Sequence, residues 1–269
     1  MQNKTVGMIG AGQMATALAQ GWLRAGLLTA DKLIAADPSV EAQERFAAAT
    51  GAHVVADNLE VVRQAEVIVL AVKPHLIATV AQPLANSLDE RHLVVSIAAG
   101  VRLEALAQLL GPKARLVRVM PNTPCLVGRG ACGYSLGQQA TKDDDALVRR
   151  MLEAVGFACR VEERLLDAVT GLSGSGPAFV YTVIEALSDA GVRQGLPRAV
   201  ASPLAAQTVA GAAEMVLGTG EHPAVLRERV TSPGGTTIAG LEALEQTGMR
   251  GALFAAVEAA THRAGELGH

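Results

Sequence analysis

VGMIGAGQMATAL, residues 6–18, is the stretch that decides the fold of the first half of this chain. An apolar strand pattern ends at Gly10, and helical spacing begins directly after Gly12. With Ala15, these glycines match the G-x-G-x-x-G/A pattern: Gly10 permits a tight turn, Gly12 lets a pyrophosphate approach, and Ala15 keeps helix and strand close. Backbone amides at the helix start can hold phosphates. The stretch predicts dinucleotide binding, and the alternative is a purely structural turn.

Outward from this turn, short β-branched runs alternate with helical patterns up to about residue 161. The strand candidates are TVGMI, KLIAA, HVV, EVIVLAV, HLVVSIA, RLVRV and FACRV. Several are apolar without alternation, which is typical of strands buried on both faces. Strand–helix alternation implies a parallel sheet with right-handed crossovers. We therefore predict an α/β Rossmann-type doubly wound sheet over residues 1–161.

The second half, residues 162–269, shows helical spacing instead of strand patterns. Expected helix ends are Gly195, Gly218 and Gly248, and expected helix starts lie near Pro177 and Pro197. The helical faces are so uniformly apolar that a single copy of the chain could hardly bury them all. We therefore predict an all-α C-terminal dimerisation domain.

The composition favours a compact, soluble, cytoplasmic protein. The net charge of −3 argues against a nucleic-acid partner, which would require a basic face. No uninterrupted apolar run reaches the roughly 18 residues of a membrane span, and the first ten residues hold a strand pattern instead of a targeting signal. Without a span-length apolar run, no membrane partner is expected. The three cysteines lack metal-ligand spacing and suit a reducing compartment, so no metal site is expected either.

Asp37 ends the second strand pattern, KLIAA. A carboxylate at this position accepts hydrogen bonds from the adenosine ribose hydroxyls and repels a 2′-phosphate, which favours NADH over NADPH. Capping of the next helix by Asp37-Pro38-Ser39 is an alternative role that can coexist with the first. Lys73-Pro74, residues 98–100 and residues 120–123 follow other strands, and ligands in open α/β sheets bind along that edge. We expect a cofactor trough there.

Two glycine-rich stretches interrupt the helical half. TGLSGSGPAF, residues 170–179, reads as a turn with Ser175 as the N-cap, and its surplus glycines indicate either ligand contact or tight packing. In RVTSPGGTTIAGL, residues 229–241, two glycines and two threonines at a helix start present free amides, hydroxyls and the positive dipole end. Because the first domain already houses phosphates, this second anion receptor suggests a carboxylate-bearing substrate. A plain connector is the alternative.

Six motifs together resemble pyrroline-5-carboxylate reductase: GMIGAGQMA, LAVKPH, VVSIAAGV, RVMPNTP, AVTGLSGSGPAF and VTSPGGTTIAGLEAL, in this order and spacing. The likeness runs from about residue 4 to residue 267. It implies hydride transfer from NAD(P)H to the C=N carbon of 1-pyrroline-5-carboxylate, giving L-proline in the last step of proline synthesis. It also implies an interlocked helical homodimer, often assembled into a larger ring such as a decameric ring of dimers.

The resemblance implies roles for individual residues as well. The implied cofactor contacts are Ile9, Gly10, Ala11, Gly12, Gln13, Met14, Asp37, Asn58, Ala71, Val72, Lys73, Pro74 and Ala99. The substrate carboxylate is implied to lie on Ser232, Gly235 and Thr236, and the Thr237 hydroxyl to meet the ring nitrogen. Glu163 matches a family position near that nitrogen, and Ser175 is a further substrate-binding candidate.

Thr237 is the predicted catalytic residue. A ring nitrogen that is protonated, or that accepts a hydrogen bond from the Thr237 hydroxyl, draws electrons from the carbon that receives hydride. No histidine lies in the two motifs most specific to that family, GLSGSGPA and SPGGTT, so the proton is expected from solvent or from an already protonated substrate. Two positions depart from the family pattern: Asp37 stands where a small hydroxyl residue often meets the 2′-phosphate, and Arg229 stands where an asparagine near the cofactor is common.

Two other functions would account for parts of the sequence. A β-hydroxyacid dehydrogenase would carry a catalytic lysine in its helical part, but all five lysines lie in the first half, at Lys4, Lys32, Lys73, Lys113 and Lys142. A non-catalytic nicotinamide sensor would keep the glycine turn but would not need the glycine–threonine receptor.

Overall fold

The computed structural model describes residues 4–267, and the two ends, residues 1–3 and 268–269, lie outside that range. Within it, eight strands form one sheet. The strands are β1 (Val6–Ile9), β2 (Leu33–Ala36), β3 (His53–Val55), β4 (Val67–Leu70), β5 (Leu93–Ser96), β6 (Arg115–Met120), β7 (Gly130–Leu136) and β8 (Gly156–Arg160). Their order across the sheet is β3-β2-β1-β4-β5-β6-β7-β8.

The first six strands run parallel, as predicted. In register, Met8 of β1 lies between Ala35 of β2 and Val69 of β4, so the chain switches direction across the sheet at β1. Strands β1, β2, β4 and β5 are buried at every residue, which explains their continuous apolar character. The strand order 3-2-1-4-5-6 is that of a dinucleotide-binding fold and confirms the predicted doubly wound sheet.

Strand β7 was not predicted. It pairs antiparallel with β6, with Tyr134 opposite Val119, and β8 then runs parallel to β7. Its sequence, GACGYSL, carries two glycines and little β propensity. The glycine at position 133 is required by packing, because a Cβ there would lie 2.8 Å from Cγ1 of Val169.

Helices cover both faces of the sheet. They are α1 (Gln13–Arg24), α2 (Val40–Thr50), α3 (Asn58–Gln64), α4 (Ile77–Ala81), α5 (Leu103–Leu110), α6 (Lys142–Glu153) and α7 (Leu166–Val169). One apolar core forms around Trp22 and Phe46, from α1, α2 and α6. The other forms around Leu106 and Ile77, from α3, α4 and α5.

The described residues after Arg160 form helices and no strand, as predicted. The long ones are α8 (Gly176–Arg193), α9 (Arg198–Thr219), α11 (Thr236–Gln246) and α12 (Met249–Glu266), and the short α10 (Pro223–Arg229) was not predicted. Gly195 and Gly248 have positive φ angles of 100° and 74° beyond α8 and α11, as expected of helix ends. The predicted end at Gly218 was wrong: α9 continues to Thr219, and Gly220 takes the left-handed conformation instead.

The expected turn with Ser175 as an N-cap was also wrong. Residues Thr170–Gly174 form a π-helix, and Ser175 has helical backbone angles (φ −84°, ψ −25°). Its N–H donates to the carbonyl of Thr170 at 2.8 Å, which closes the wide turn. A Cβ on Gly174 would lie 2.4 Å from Cε of Met120, the flexible end of that side chain, so Gly174 lies in close contact with the end of β6.

Two compact units divide the described chain. One runs up to Ser175 and resumes at Glu258, and the other is Gly176–Val257. The predicted domain boundary between residues 161 and 162 stays a prediction. In the second unit many large apolar side chains are exposed, with Leu217 at 78% and Phe254 at 81%. Among the described helices, α9 alone is long and apolar enough to cross a membrane by length and composition, a test that helices of soluble proteins also pass.

We predict that Gly21→Ala destabilises the protein although alanine favours helices. The new Cβ would lie 2.1 Å from Cγ1 of Val155, a buried β-branched side chain that has little freedom to move. Overpacking outweighs the gain of about 1 kcal/mol in helix propensity, so the free energy of unfolding should fall by roughly 1–2 kcal/mol in urea titrations.

A double variant with Val155→Ala is the matched control, because it removes the atom that clashes. Its loss of stability should be smaller than the sum of the two single losses. Strict additivity would show that the contact between positions 21 and 155 does not limit packing.

Candidate functional site

The predicted cofactor residues follow the carboxyl ends of five adjacent strands. Gly10 follows β1, Asp37 follows β2, Asn58 lies after β3, residues 71–74 follow β4, and Ala99 lies after β5. Because these strands are parallel and neighbouring, the residues share one edge of the sheet. Ligands of open α/β sheets bind at this edge where the strand order reverses, which here is at β1.

The glycine turn has the geometry that close backbone approach requires. Gly10 has a φ of 98°, and a Cβ there would lie 2.6 Å from the carbonyl oxygen of Ala71. Its N–H donates to the carbonyl of Ala36 at 2.8 Å. Gly12 is exposed, and a Cβ there would meet no described atom within 4 Å. The turn is therefore tight on the sheet side and open on the outer side.

The start of α1 is open to solvent. Gly12 is its N-cap with extended backbone, and no side chain in the described residues caps it. The first turn carries no acidic residue. Gln13 is exposed and Met14 is half-buried, so both lie within reach of solvent. The arrangement fits the pyrophosphate of a dinucleotide, because unsatisfied amides and the helix dipole both favour negative charge.

Asp37 connects the glycine turn to the second helix. Its Oδ2 accepts a hydrogen bond from the amide of Ala11 at 2.9 Å, and its Oδ1 accepts one from the amide of Ser39 at 2.9 Å. The N-cap of α2 is Ser39, whose hydroxyl accepts from the Ala42 amide at 3.3 Å. Helix capping is thus done mainly by Ser39, and the carboxylate lies beside the turn where a ribose would bind.

The other predicted cofactor positions lie at the strand ends and in the segments that follow them. The Ile9 carbonyl accepts from the Ala71 amide at 2.8 Å, and Val72 contacts the Cβ position of Gly10. Lys73 is exposed and precedes a short 3₁₀ helix that starts at Pro74. Asn58 is the first residue of α3, which is capped by the Asp57 side chain. Ala99 is half-buried in the segment between β5 and α5.

The glycine–threonine segment is a β-turn followed by a helix start. The Gly235 amide donates to the Ser232 carbonyl at 3.1 Å, and Gly234 has a φ of 67°, as a turn with Pro233 in its second position allows. A Cβ on Gly235 would lie 2.3 Å from the hydroxyl oxygen of Ser232. The turn therefore presses that hydroxyl against the N-cap of α11.

The start of α11 has no acceptor of its own. Gly235 is its N-cap without a side-chain hydrogen bond, and its first turn carries no acidic residue. Thr236 is exposed and Thr237 is half-buried. Within residues 4–267, neither hydroxyl has a hydrogen-bond partner. Two hydroxyls, free amides and the positive helix end can bind a carboxylate and donate to a second polar atom.

Glu163 lies in the same compact unit as the cofactor edge. Its Oε1 accepts from the amide of Leu103 at 2.6 Å and from Nη1 of Arg118 at 3.3 Å. Arg118 is buried, with its side chain 4% exposed, and its Nη2 pairs with Oδ1 of Asp167 at 3.2 Å. Sequence reasoning missed Arg118, although a charged residue inside the apolar pattern RLVRV is the signal that could have found it.

Arg229, the second departure from the family pattern, lies on the surface of the helical unit. It forms a bidentate ion pair with Glu221, at 2.5 and 2.6 Å. Asn122, within the predicted trough, is buried and satisfied: its Nδ2 donates to the Ser173 carbonyl at 3.0 Å, and its Oδ1 accepts from the Ala131 amide at 2.8 Å. Asn122 therefore fixes the π-helix and β7 to the end of β6.

The three cysteines are free thiols. The sulfur atoms of Cys125 and Cys132 lie 3.7 Å apart in the core. The hydrogen bond with Cys125, together with burial, raises the pKa of Cys132, so that this thiol stays protonated. Among the described residues, no group of three potential metal ligands lies together.

Comparison with known proteins agrees with both halves of this arrangement. Residues 163–267 match a family model described as pyrroline-5-carboxylate reductase dimerisation, and residues 5–100 match one described as NADP oxidoreductase coenzyme F420-dependent. The chain is 46% identical over 268 residues to the pyrroline-5-carboxylate reductase of Methanosarcina acetivorans, covering 100% of this chain and 99% of that protein. The chain belongs to the pyrroline-5-carboxylate reductase family.

Solved structures of this family share the fold over the whole chain. The pyrroline-5-carboxylate reductase of Coxiella burnetii is 37% identical with a TM-score of 0.93, and both chains are covered completely. The pyrroline carboxylate reductase of Plasmodium falciparum, solved with NADP bound, is 34% identical with a TM-score of 0.91 and the same coverage. Membership in the family makes this chain a nicotinamide-dependent oxidoreductase of proline biosynthesis with a helical dimerisation region.

Proposed function

We propose that this pyrroline-5-carboxylate reductase binds its cofactor on the glycine turn and its substrate carboxylate on the start of α11. The observation that carries the proposal is the uncapped helix start at Gly235, with Ser232, Thr236 and Thr237 around it. A bound reduced nicotinamide supplies the hydride for the C=N carbon of 1-pyrroline-5-carboxylate, and the product is L-proline.

On the cofactor side, the proposed contacts are the turn residues and the strand ends. Gly10 and Gly12 bring the backbone close to the pyrophosphate, and the amides at the start of α1 bind its charge. Asn58, residues 71–74 and Ala99 extend the binding edge on both sides of the turn. This edge orients the cofactor, which lowers the entropic cost of bringing it to the substrate.

On the substrate side, we propose that Ser232, Gly235 and Thr236 receive the carboxylate. The Ser232 hydroxyl lies beside the N-cap of α11, and the amides there have no side-chain cap, so these donors can bind one anion together. The Thr237 hydroxyl then donates a hydrogen bond to the ring nitrogen. This bond polarises the imine and strengthens as the amine forms, so it stabilises the transition state more than the ground state. Ser175 is retained as a further substrate-side candidate.

We propose that NADH is preferred over NADPH. The Asp37 carboxylate is held beside the glycine turn by two amides, so it cannot easily turn away from the ribose. Residues 37–41, DPSVE, contain no basic residue that would pair with a 2′-phosphate. The carboxylate therefore accepts from ribose hydroxyls and repels the phosphate.

The proposed assembly is a homodimer formed through the second unit. Its exposed apolar side chains lie within residues 163–267, the part that matches the dimerisation family. Burial against a second copy would remove this apolar surface from water. Further assembly into a decameric ring and a cytoplasmic location are parts of the same proposal.

The direct test is to follow oxidation of NADH and NADPH at 340 nm with and without 1-pyrroline-5-carboxylate, and to identify L-proline in the products. Substrate-dependent oxidation with stoichiometric proline is expected. Cofactor binding without any substrate-dependent oxidation would instead identify a nicotinamide sensor.

Thr237→Ala should lower kcat by roughly one to three orders of magnitude, because the hydrogen bond to the developing amine is lost. Thr237→Ser is the matched control: it keeps the hydroxyl, so most of the turnover should remain. Steady-state rates of the two variants, measured at saturating cofactor, make the comparison. Equal rates for wild type and Thr237→Ala would remove this residue from the mechanism.

Asp37→Ser should shift the ratio of kcat/KM values toward NADPH, because the repulsive carboxylate is removed from beside the turn. Asp31→Ser is the charge-matched control, since Asp31 lies before the amino end of β2 and away from the proposed ribose position. Its ratio should equal that of the wild type. A wild type that already strongly prefers NADPH would contradict the electrostatic argument.

A further inference from the structure

We infer that Glu163 is a positioning residue for the cofactor loop, defined as residues 97–102, and not a contact of the substrate nitrogen. The inference rests on the proposed function in one respect, namely that Ala99 in this loop contacts the cofactor. It replaces the role that family resemblance implies for Glu163. The contacts of Glu163 within the first unit carry the argument.

The cofactor loop is fixed at its first end by the sheet. The Ile97 amide donates to the Leu70 carbonyl at 3.1 Å, which continues the pairing of β5 with β4. In its middle, Gly100 is buried with a φ of 80°, a conformation that a residue with a side chain rarely adopts. The conformation of the rest of the loop therefore depends on the contacts that hold its second end.

The second end of the loop is the start of α5, and Glu163 caps it from 60 residues away. The N-cap residue is Arg102, whose guanidinium is a donor only and cannot accept a bond from the helix amides. Glu163 supplies the acceptor: its Oε1 takes the Leu103 amide at 2.6 Å. A carboxylate at a helix N-terminus is also favoured by the dipole.

Arg118 holds the carboxylate in that position. It lies on β6, which pairs with β5, and its side chain is nearly fully buried. A buried cation requires counter-charges, and Arg118 has two, Glu163 at 3.3 Å and Asp167 at 3.2 Å. Oε1 of Glu163 thus accepts from both Leu103 and Arg118. The sheet positions the arginine, the arginine positions the carboxylate, and the carboxylate fixes the loop that carries Ala99.

The experiment separates the two roles by the kinetic constant that changes. Glu163→Ala removes the cap, so the loop spends less time in the binding conformation, and the KM for the reduced nicotinamide should rise about 5- to 10-fold. The KM for 1-pyrroline-5-carboxylate should stay within about twofold of wild type. Glu163→Gln keeps an oxygen that can accept from the Leu103 amide, so it should rescue most of the cofactor KM.

Two further variants complete the set. Glu162→Ala removes the neighbouring carboxylate, which is exposed and pairs with Arg164, so both KM values should match the wild type. Glu163→Asp keeps the negative charge for Arg118 but is one methylene shorter, so it should raise the cofactor KM as alanine does. It also keeps the test decisive if the alanine variant fails to fold, because the buried arginine retains a counter-charge.

Hydrogen exchange gives a readout of the loop without catalysis. In Glu163→Ala and Glu163→Asp, the amides of residues 100–106 should exchange faster than in wild type. The exchange rates of the amides in the sheet should be unchanged. A raised KM for 1-pyrroline-5-carboxylate with an unchanged cofactor KM would overturn the inference in favour of substrate contact. Unchanged values of both constants would overturn it as well.

Failure of the proposed function is distinguishable from failure of this inference. If wild type oxidises no reduced nicotinamide in the presence of 1-pyrroline-5-carboxylate, the proposed function fails. The dissociation constant of the reduced cofactor, measured by its fluorescence without substrate, would still rise in Glu163→Ala if the carboxylate positions the loop.

Discussion

The close approach of Gly10 to the Ala71 carbonyl is the constraint on which the cofactor edge depends. Strand β1 lies between β2 and β4, and the chain must reverse from its end into α1 beside the residues that follow β4. Only a residue without Cβ fits there, because the carbonyl lies 2.6 Å from the Cβ position and φ is positive. The exposed start of α1 follows from that reversal, and the ends of the other strands are arranged around it.

The parallel part of the sheet was predictable because its strands obey one local rule. Burial on both faces requires continuous apolar residues, and β1, β2, β4 and β5 have them. Strand β7 and the π-helix do not obey a local rule. They depend on contacts between distant residues, Gly133 with Val169 and Gly174 with Met120, and such contacts leave only isolated glycines in the sequence.

The same distinction applies to the candidate site. The glycine turn and the glycine–threonine segment were found because each is a complete local signature, with its turn, its helix start and its polar residues adjacent in sequence. The cluster of Arg118, Glu163 and Asp167 was not found, since the two carboxylates lie 45 and 49 residues from the arginine in sequence. The helix start that Glu163 caps lies at yet another position. Ion pairs of this kind become visible only when the strand order is known.

The exposed apolar helices of the second unit have a consequence for how the protein behaves on dilution. In the proposed homodimer, side chains such as Leu217 and Phe254 leave water when a second copy covers them, and Gly176–Val257 has little apolar interior of its own. The stability of such a segment is a function of protomer concentration, since mass action governs the bound state. The sheet carries two apolar cores of its own, so in the proposed dimer the dependence on concentration falls on the helical unit.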